Sequence, residues 1–374
     1  MKNTSVLIKP ASGRCNMKCT YCFYCDEITK RKVKDRGLMT KKTAEQIIKK
    51  TLDFSQGGLI TYAFQGGEPT LRGLDFYKYF TKKVKELNHK RSKINYAIQT
   101  NGILIDEKWA KFFYNEKFLI GLSLDGTKNL NNINRIDLND KGTFKRIIKA
   151  SEVLKEYNVS FNVVTVVNSI NVRKIIKIYN FYKKKGFNYM QFIPCLEPLG
   201  EKFGDSKYAL SSKEYGKFLI KLFNVWYRDV KDGNYVSIRY FDNLLSMYLG
   251  KEPESCDMRG VCSIQNVIEA DGSVYPCDFY VIDEFYMGNI NEKSINEIIK
   301  SSNADKFIKK SLELTEDCKK CPWIRICRGG CRRHKTEEGS DGLMKNYFCE
   351  SFKEFHEYSN DKFKELAFIL SRRR

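Results

Sequence analysis

Cys15, Cys19 and Cys22 stand within eight residues, Cys15-Asn-Met-Lys-Cys19-Thr-Tyr-Cys22, just after the apolar run Val6-Leu7-Ile8. Three thiolates on a loop that follows a strand can hold three irons of a [4Fe–4S] cluster, whereas a fully ligated cluster takes four cysteines. Three protein ligands leave one iron open, and an open position is what a metal centre uses for chemistry. A zinc knuckle or a set of buried thiols is the competing reading. Zinc sites want four ligands in paired Cys-x2-Cys form, so the spacing favours iron and sulfur. Cys25 would close the open iron if it were a fourth ligand, and it is read as a spectator.

Eight further cysteines lie beyond residue 255: Cys256, Cys262, Cys277, Cys318, Cys321, Cys327, Cys331 and Cys349. By count they suit two fully ligated [4Fe–4S] clusters, or equally two zinc ions. Their local order is more specific: Cys262-x9-Gly272-x4-Cys277, then Cys318-x2-Cys321-x5-Cys327-x3-Cys331, then Cys349. Cys195 follows a strand end and reads as a packed thiol.

Polar groups collect where strands end. Gln65-Gly66-Gly67-Glu68-Pro69-Thr70 closes the second strand, and glycines there let backbone approach a ligand. Gln99-Thr100-Asn101-Gly102 and Ser123-Leu124-Asp125-Gly126 close the third and fourth. Asp278 directly follows Cys277, so a carboxylate is fixed beside a metal ligand and can accept a proton from a substrate; a turn-capping Asp is the plain alternative. The three histidines, His89, His334 and His356, have no evident catalytic partner.

Strand–helix alternation must position these groups. Strands are expected at 6–8, 59–64, 94–100, 118–123, 159–166 and 189–193, with helices around 41–54, 75–88, 106–115, 143–157 and 172–185. Such alternation means an α/β fold with a parallel sheet. Six units are too few for a closed eight-stranded barrel, and a partial (β/α)6 barrel fits. Chemistry then gathers at the C-terminal ends of the strands, where the first cysteine loop lies. Residues 212–231 form an amphipathic helix with Tyr215, Phe218, Leu219, Leu222, Phe223 and Trp226 on one face. After residue 255 little helix is expected until the end, and Ala270-Asp-Gly-Ser273 reads as a hairpin turn.

Composition narrows the class. The chain has 374 residues, 42% hydrophobic, enough for a sizeable core and more than one domain. The formal charge is +21, but the lysines are scattered and no nucleic-acid motif or dense basic tract occurs, so no nucleic-acid partner is expected. No apolar run is long enough for a membrane span and the N-terminus lacks a signal-peptide core. A cytoplasmic protein is expected, with its thirteen cysteines as metal ligands rather than disulfides.

The Cys-x3-Cys-x2-Cys loop resembles the signature of radical S-adenosylmethionine (SAM) enzymes. The later cysteine pattern resembles their SPASM domain. Together with Leu7-Ile-Lys-Pro-Ala, Phe64-Gln-Gly-Gly-Glu-Pro-Thr, Ser237-Ile-Arg-Tyr-Phe-Asp242 and Ser273-Val-Tyr-Pro-Cys-Asp-Phe-Tyr280, the chain resembles the anaerobic sulfatase-maturating enzymes along nearly its whole length. The resemblance implies a radical SAM partial barrel over 1–235. It implies a SPASM domain with two auxiliary clusters and a C-terminal helix over 236–374. It assigns Cys256, Cys262, Cys277 and Cys331 to one auxiliary cluster and Cys318, Cys321, Cys327 and Cys349 to the other. S-adenosyl-L-methionine would meet Tyr21, by stacking near adenine, the strand edge Gln65, Gly66, Gly67 and Glu68, Ser123 near the ribose, and Arg135 at the methionine carboxylate.

The implied reaction is oxidation of a Cys or Ser of an unfolded sulfatase segment to Cα-formylglycine. A 5′-deoxyadenosyl radical takes a Cβ hydrogen, and Asp278 is the base. A flavodoxin or ferredoxin would supply electrons. Two rival readings are a radical maturase that crosslinks a ribosomally made peptide, and a non-enzymatic iron–sulfur protein. The Gly66-Gly67-Glu68-Pro69 edge argues against the second.

Overall fold

Alternating side chains build the first four strands of the computed structural model, which describes residues 1–372. These are β1 (Thr4–Ile8), β2 (Leu59–Phe64), β3 (Lys93–Thr100) and β4 (Phe118–Ser123). Along β2 the buried side chains are Ile60, Tyr62 and Phe64, every second residue, as a sheet with one covered face requires. Then follow β5 (Phe161–Val167), β6 (Tyr189–Pro194), β7 (Ser237–Ile238), β8 (Val267–Ile268), β9 (Ser273–Tyr275), β10 (Gly288–Asn289), β11 (Lys335–Glu338) and β12 (Met344–Asn346).

Two compact units result. The first holds Met1–Leu124, Asn131–Asn162 and Ile264–Phe307; the second holds Asp125–Leu130, Val163–Ser263 and Ile308–Arg374. This division differs from the expected cut after residue 235. The reason lies at the edge of β1, where β8 adds in parallel, pairing Leu7 with Val267 and Ile8 with Ile268. A late segment of the chain thereby extends the first sheet.

In the first unit β1 to β4 are parallel neighbours, and β8, β9 and β10 continue beyond β1 as an antiparallel run. The expected turn joins β8 and β9. Gly272 takes φ +90°, and its N–H donates to the Glu269 carbonyl. One hydrophobic core spans both contributions, from Ile8, Ile60 and Phe64 to Ile268 and Val274. The connecting helices Lys41–Ser55 and Glu107–Asn115 start where Thr40 and Asp106 accept from the Thr43 and Trp109 N–H groups.

In the second unit β5, β6 and β7 are parallel. The helix Ser212–Lys231 buries all six expected apolar residues. It packs on the helix Cys349–Ser371, with Phe223 and Phe363 ring centroids 4.9 Å apart. The region after residue 255 is more helical than expected: Ile295–Ile299 and Ser302–Ser311 are helices, as are the single turns Glu316–Lys319 and Ile324–Cys327. Among the described residues, no helix is long and apolar enough to cross a membrane.

Candidate active site and cluster sites

The loop after β1 carries Cys15, Cys19 and Cys22 and is tied down from three sides. Gln65 N–H donates to the Ile8 carbonyl, Gly67 N–H to Ser12 and Glu68 N–H to Arg14. From the segment before the helix Phe144–Glu156, the Ile136 and Asn134 carbonyls accept from Lys18 and Thr20. Asn101, just past β3, donates through Nδ2 to Asn16 Oδ1 at 2.8 Å. A side chain at Gly67 would have its Cβ 2.1 Å from the Arg14 carbonyl oxygen, and Gly66 takes φ +134° against the same loop. Both glycines are therefore needed for the strand edge to reach the cysteine loop at all.

The three thiols sense one another electrostatically. Burial pushes the Cys15 thiol up to about 12, while Cys22 is lowered to about 6, first by the hydrogen bond from the Cys25 thiol and then, among smaller causes, by the Arg135 charge. Cys25 thus sits beside Cys22, on the first turn of the helix Phe23–Thr29. Three thiols on one loop, with a guanidinium near, form a donor set that fits a [4Fe–4S] cluster with one open iron. Among the described residues no group is gathered at the spacing of a single metal ion; in a cluster each thiolate takes its own iron.

The expected cofactor residues lie in this same unit. Arg135 is buried and donates through Nη1 to the Tyr21 hydroxyl at 3.0 Å. Ser123 Oγ, at the end of β4, accepts from Gln99 Nε2 at 2.8 Å. Two expected contacts are used differently. The buried Glu68 carboxylate accepts from Thr70 N–H and hydroxyl, the Thr100 hydroxyl and the Asn101 N–H, so it locks the ends of β2 and β3 together. Burial still holds its pKa above the usual carboxylate value. Any ligand contact there falls to the backbone. The Gln65 side chain reaches Asp278 instead.

Asp278 is not a turn cap. Its carboxylate, 6% exposed, receives Lys9 Nζ on Oδ1 at 2.5 Å and Gln65 Nε2 on Oδ2 at 2.5 Å. Lys9 is wholly buried, with its ammonium 3.8 Å from the centroid of the Tyr24 ring. A buried ammonium is costly without a paired anion, and Asp278 is the anion Lys9 meets. Behind them the Tyr24 hydroxyl donates to Glu269, which Arg31 also meets, at 2.6 Å. Asp271 is occupied elsewhere, by Arg36. Sequence reasoning missed Lys9, Tyr24, Arg31 and Glu269. The one signal was a lysine immediately after an apolar strand.

The second unit holds two further cysteine groups. Cys331 is pushed up by burial and by the charges of Asp257, Cys256 and Cys262, which places those three thiols near one another. Cys277, their expected fourth member, belongs to the first unit. Cys318, Cys321, Cys327 and Cys349 line one cavity. Burial pushes Cys327 up to about 12 and Cys349 to about 11. Between Cys327 and Cys331, Arg328, Gly329 and Gly330 take φ +52°, +82° and +68°. This left-handed run sends two cysteines only four positions apart to different groups. Cys195 is a buried thiol, pushed up to about 12 by burial.

Comparison with known proteins decides the family. Residues 10–182 match the model for the radical SAM superfamily, and residues 256–322 match that for an iron–sulfur cluster-binding domain. A cysteine-type anaerobic sulfatase-maturating enzyme of Clostridium novyi is 48% identical over 100% of both chains. The chain belongs to the anaerobic sulfatase-maturating enzymes. A serine-type enzyme of Bacteroides thetaiotaomicron is 29% identical over 94% of this chain and 88% of its own. A solved structure of native anSMEcpe with bound AdoMet and Cp18Cys peptide superimposes with a TM-score of 0.93. It is 46% identical and covers 99% of this chain and 100% of that one. As a sulfatase-maturating enzyme the chain has the α/β fold expected, with radical SAM and SPASM regions. Cys327, Cys331 and Cys349 lie beyond the residues matched to the second model.

Proposed function

We propose that this protein oxidises a cysteine of an unfolded sulfatase segment to Cα-formylglycine, using S-adenosyl-L-methionine and three [4Fe–4S] clusters. One observation carries the reading. The segment Gln65–Glu68 joins two functions: its backbone grips the cysteine loop, while the Gln65 side chain holds the carboxylate of Asp278. The proposed cofactor edge and the side chain that holds the proposed base thus lie within four consecutive residues. The higher identity to a cysteine-type relative than to a serine-type one supports cysteine as the substrate residue.

When bound, the cluster on Cys15, Cys19 and Cys22 together with S-adenosylmethionine supplies the one-electron chemistry that removes a hydrogen atom from the substrate Cβ. The chain's own residues do the rest. Gly66, Gly67 and the backbone of Glu68 form the edge for the cofactor's amino group, with Tyr21, Ser123 and Arg135 placed for its other parts. Asp278 takes the thiol proton. Lys9 and Gln65 use one lone pair on each of its oxygens and leave others for the substrate. Lys9, bonded to Oδ1, holds the carboxylate in position. One hydrogen atom, one proton and one further electron leave the cysteine, giving a thioaldehyde that water converts to the aldehyde with release of hydrogen sulfide. An auxiliary cluster, when bound, would supply the acceptor for that further electron. Cys256, Cys262, Cys277 and Cys331 would hold one such cluster, and Cys318, Cys321, Cys327 and Cys349 the other. A flavodoxin or ferredoxin in the cytoplasm is the expected donor to the first cluster.

The test is an anaerobic incubation of reconstituted protein with S-adenosylmethionine, reductant and a sulfatase-motif peptide carrying Cys. The expected result is aldehyde peptide formed in step with 5′-deoxyadenosine. Deoxyadenosine without peptide oxidation would overturn the reading and favour a crosslinking maturase.

A further inference from the structure

His356 lies in the helix that begins at Cys349 and borders the cavity lined by Cys318, Cys321, Cys327 and Cys349. The residue is 2% exposed. Its Nδ1 is buried with no hydrogen-bond partner. Around it are rings: Trp323 with its centroid at 6.0 Å, Phe355 at 5.8 Å and Phe352 at 6.5 Å. An imidazole in an aromatic wall is costly when its polar atoms find no partner, and a phenyl ring would fill the same space without that cost. The cavity it borders is where a partner would be.

We propose that His356 donates an N–H hydrogen bond to the cluster held by Cys318, Cys321, Cys327 and Cys349, and so raises that cluster's reduction potential. The inference rests on the assignment of those four cysteines to a cluster. Neutral or charged, an imidazole carries at least one N–H. The sulfur atoms of a cluster become more negative on reduction, so a donated hydrogen bond strengthens in the reduced state and favours it. Other donors share the wall, among them the Trp323 indole N–H and the Gly329 backbone N–H, which acts on the Cys327 thiol, so the contribution of His356 is one of several. Lys353, the cation at the rim, is paired with Glu350 at 3.1 Å. The function is to make this cluster a better acceptor for the electron that leaves the substrate.

The test is a redox titration of the holoprotein, followed by electron paramagnetic resonance, in a Cys15/Cys19/Cys22→Ala background that retains only the auxiliary clusters. His356→Phe keeps the ring packing and removes the donor. One of two midpoints is expected to fall so that the reduced-to-oxidised ratio drops about tenfold at fixed potential, about 59 mV for a one-electron couple. His356→Gln retains an N–H donor and is expected to stay near the parent value. Unchanged midpoints in the Phe variant with full iron, or an equal fall in the Gln variant, overturn the proposal. Pulsed resonance on 15N-histidine-labelled protein serves if the Phe variant loses its cluster. A histidine nitrogen coupling that persists in His334→Gln protein is expected, and its absence counts against the proposal. Iron sufficient for fewer than two clusters in the background protein instead sinks the underlying ligand assignment.

Discussion

The cysteine loop of the first unit and the cysteine cavity of the second hold their thiols by opposite means. The loop is short and polar around its ligands: strand ends, Asn101, Arg135 and Tyr21 all reach in, and three cysteines leave one coordination position for a ligand. The cavity is walled by Trp323 and Phe352 and lined by four cysteines from separate turns and a helix start. Under the proposed ligand assignment the first arrangement would admit a ligand to the metal, and the second would exclude one and leave electron transfer as its use. The contrast predicts that damage to the loop removes chemistry, and damage to the second unit removes stability or shifts a potential.

The largest effect expected is from the loop. Replacing Cys15, Cys19 and Cys22 together by Ala should abolish S-adenosylmethionine cleavage while roughly eight of about twelve irons remain, as two four-iron clusters require. Cys25→Ala should leave cleavage largely intact, although its thiol reaches Cys22. Deoxyadenosine formation and iron content read both. If the single change is as damaging as the triple one, Cys25 is a ligand and the open-iron contrast collapses.

Next comes the base. Asp278→Asn should still cleave the cofactor and lose aldehyde formation roughly 10²–10⁴-fold, the usual share of a general base. It also strands Lys9, a wholly buried ammonium, and breaking such a pair costs about 3–5 kcal/mol. Lower melting temperature is therefore expected alongside. Adding Lys9→Met removes the stranded charge and should restore much of the stability without restoring aldehyde. An unchanged aldehyde yield per deoxyadenosine in the Asn variant rules Asp278 out; restored aldehyde in the double variant would make its role structural.

A smaller effect is expected in the second unit. Gly330→Ala places a Cβ 2.4 Å from Asn346 Nδ2 at φ +68°. The strain is of order 1–3 kcal/mol for a left-handed non-glycine residue. It falls on the run that separates Cys327 from Cys331. Auxiliary-cluster iron should be lost more readily to a chelator, with the loop cluster's signal unchanged. Equal loss from all three clusters would mean that the units are not independent in this respect.

How far the sequence reached follows the same division. β2 and β4 have the bounds expected of them; in β2 alternating burial writes a period of two directly into the chain, while β4 is a short, mostly buried apolar run. The helix Ser212–Lys231 was legible for the corresponding reason at 3.6 residues per turn. Ser302–Ser311 was not: of its apolar residues only Ala304 and Phe307 are buried, too few to show a hydrophobic period. Asp278 was legible because Cys277 precedes it. Lys9 was not, since its partner lies 269 positions away and a lysine beside a strand is ordinarily solvated. Gly66 and Gly67 were noticed for a ligand, yet the close approach they permit is first of all to the loop backbone. The attachment of residues 264–307 to the first sheet was hidden because β8 is two residues long.

The smallest effect tests whether a poorly partnered buried group always serves a ligand. Glu27, in the first unit, is 2% exposed, and the Val281 backbone N–H is the one hydrogen-bonding group that acts on its carboxylate. Unlike His356, it borders no cysteine-lined cavity. Burial, with a smaller contribution from Asp278, holds its pKa well above the usual carboxylate value despite the Lys9 charge. The folded state therefore binds more protons at this position than the unfolded chain does. The sign follows: stability falls as pH rises from about 4.5 through the folded value, by about 1.4 kcal/mol for each unit of separation. Glu27→Gln keeps the shape and cannot ionise, so it should be neutral below pH 4.5 and increasingly stabilising above it. Melting curves of the holoprotein at pH 5 and pH 8 measure the difference. A gain that grows with pH, with cofactor cleavage and both auxiliary midpoints unchanged, identifies Glu27 as a packing defect. A loss of aldehyde formation in that variant would instead join Glu27 to Lys9 and Asp278 as part of the proton path.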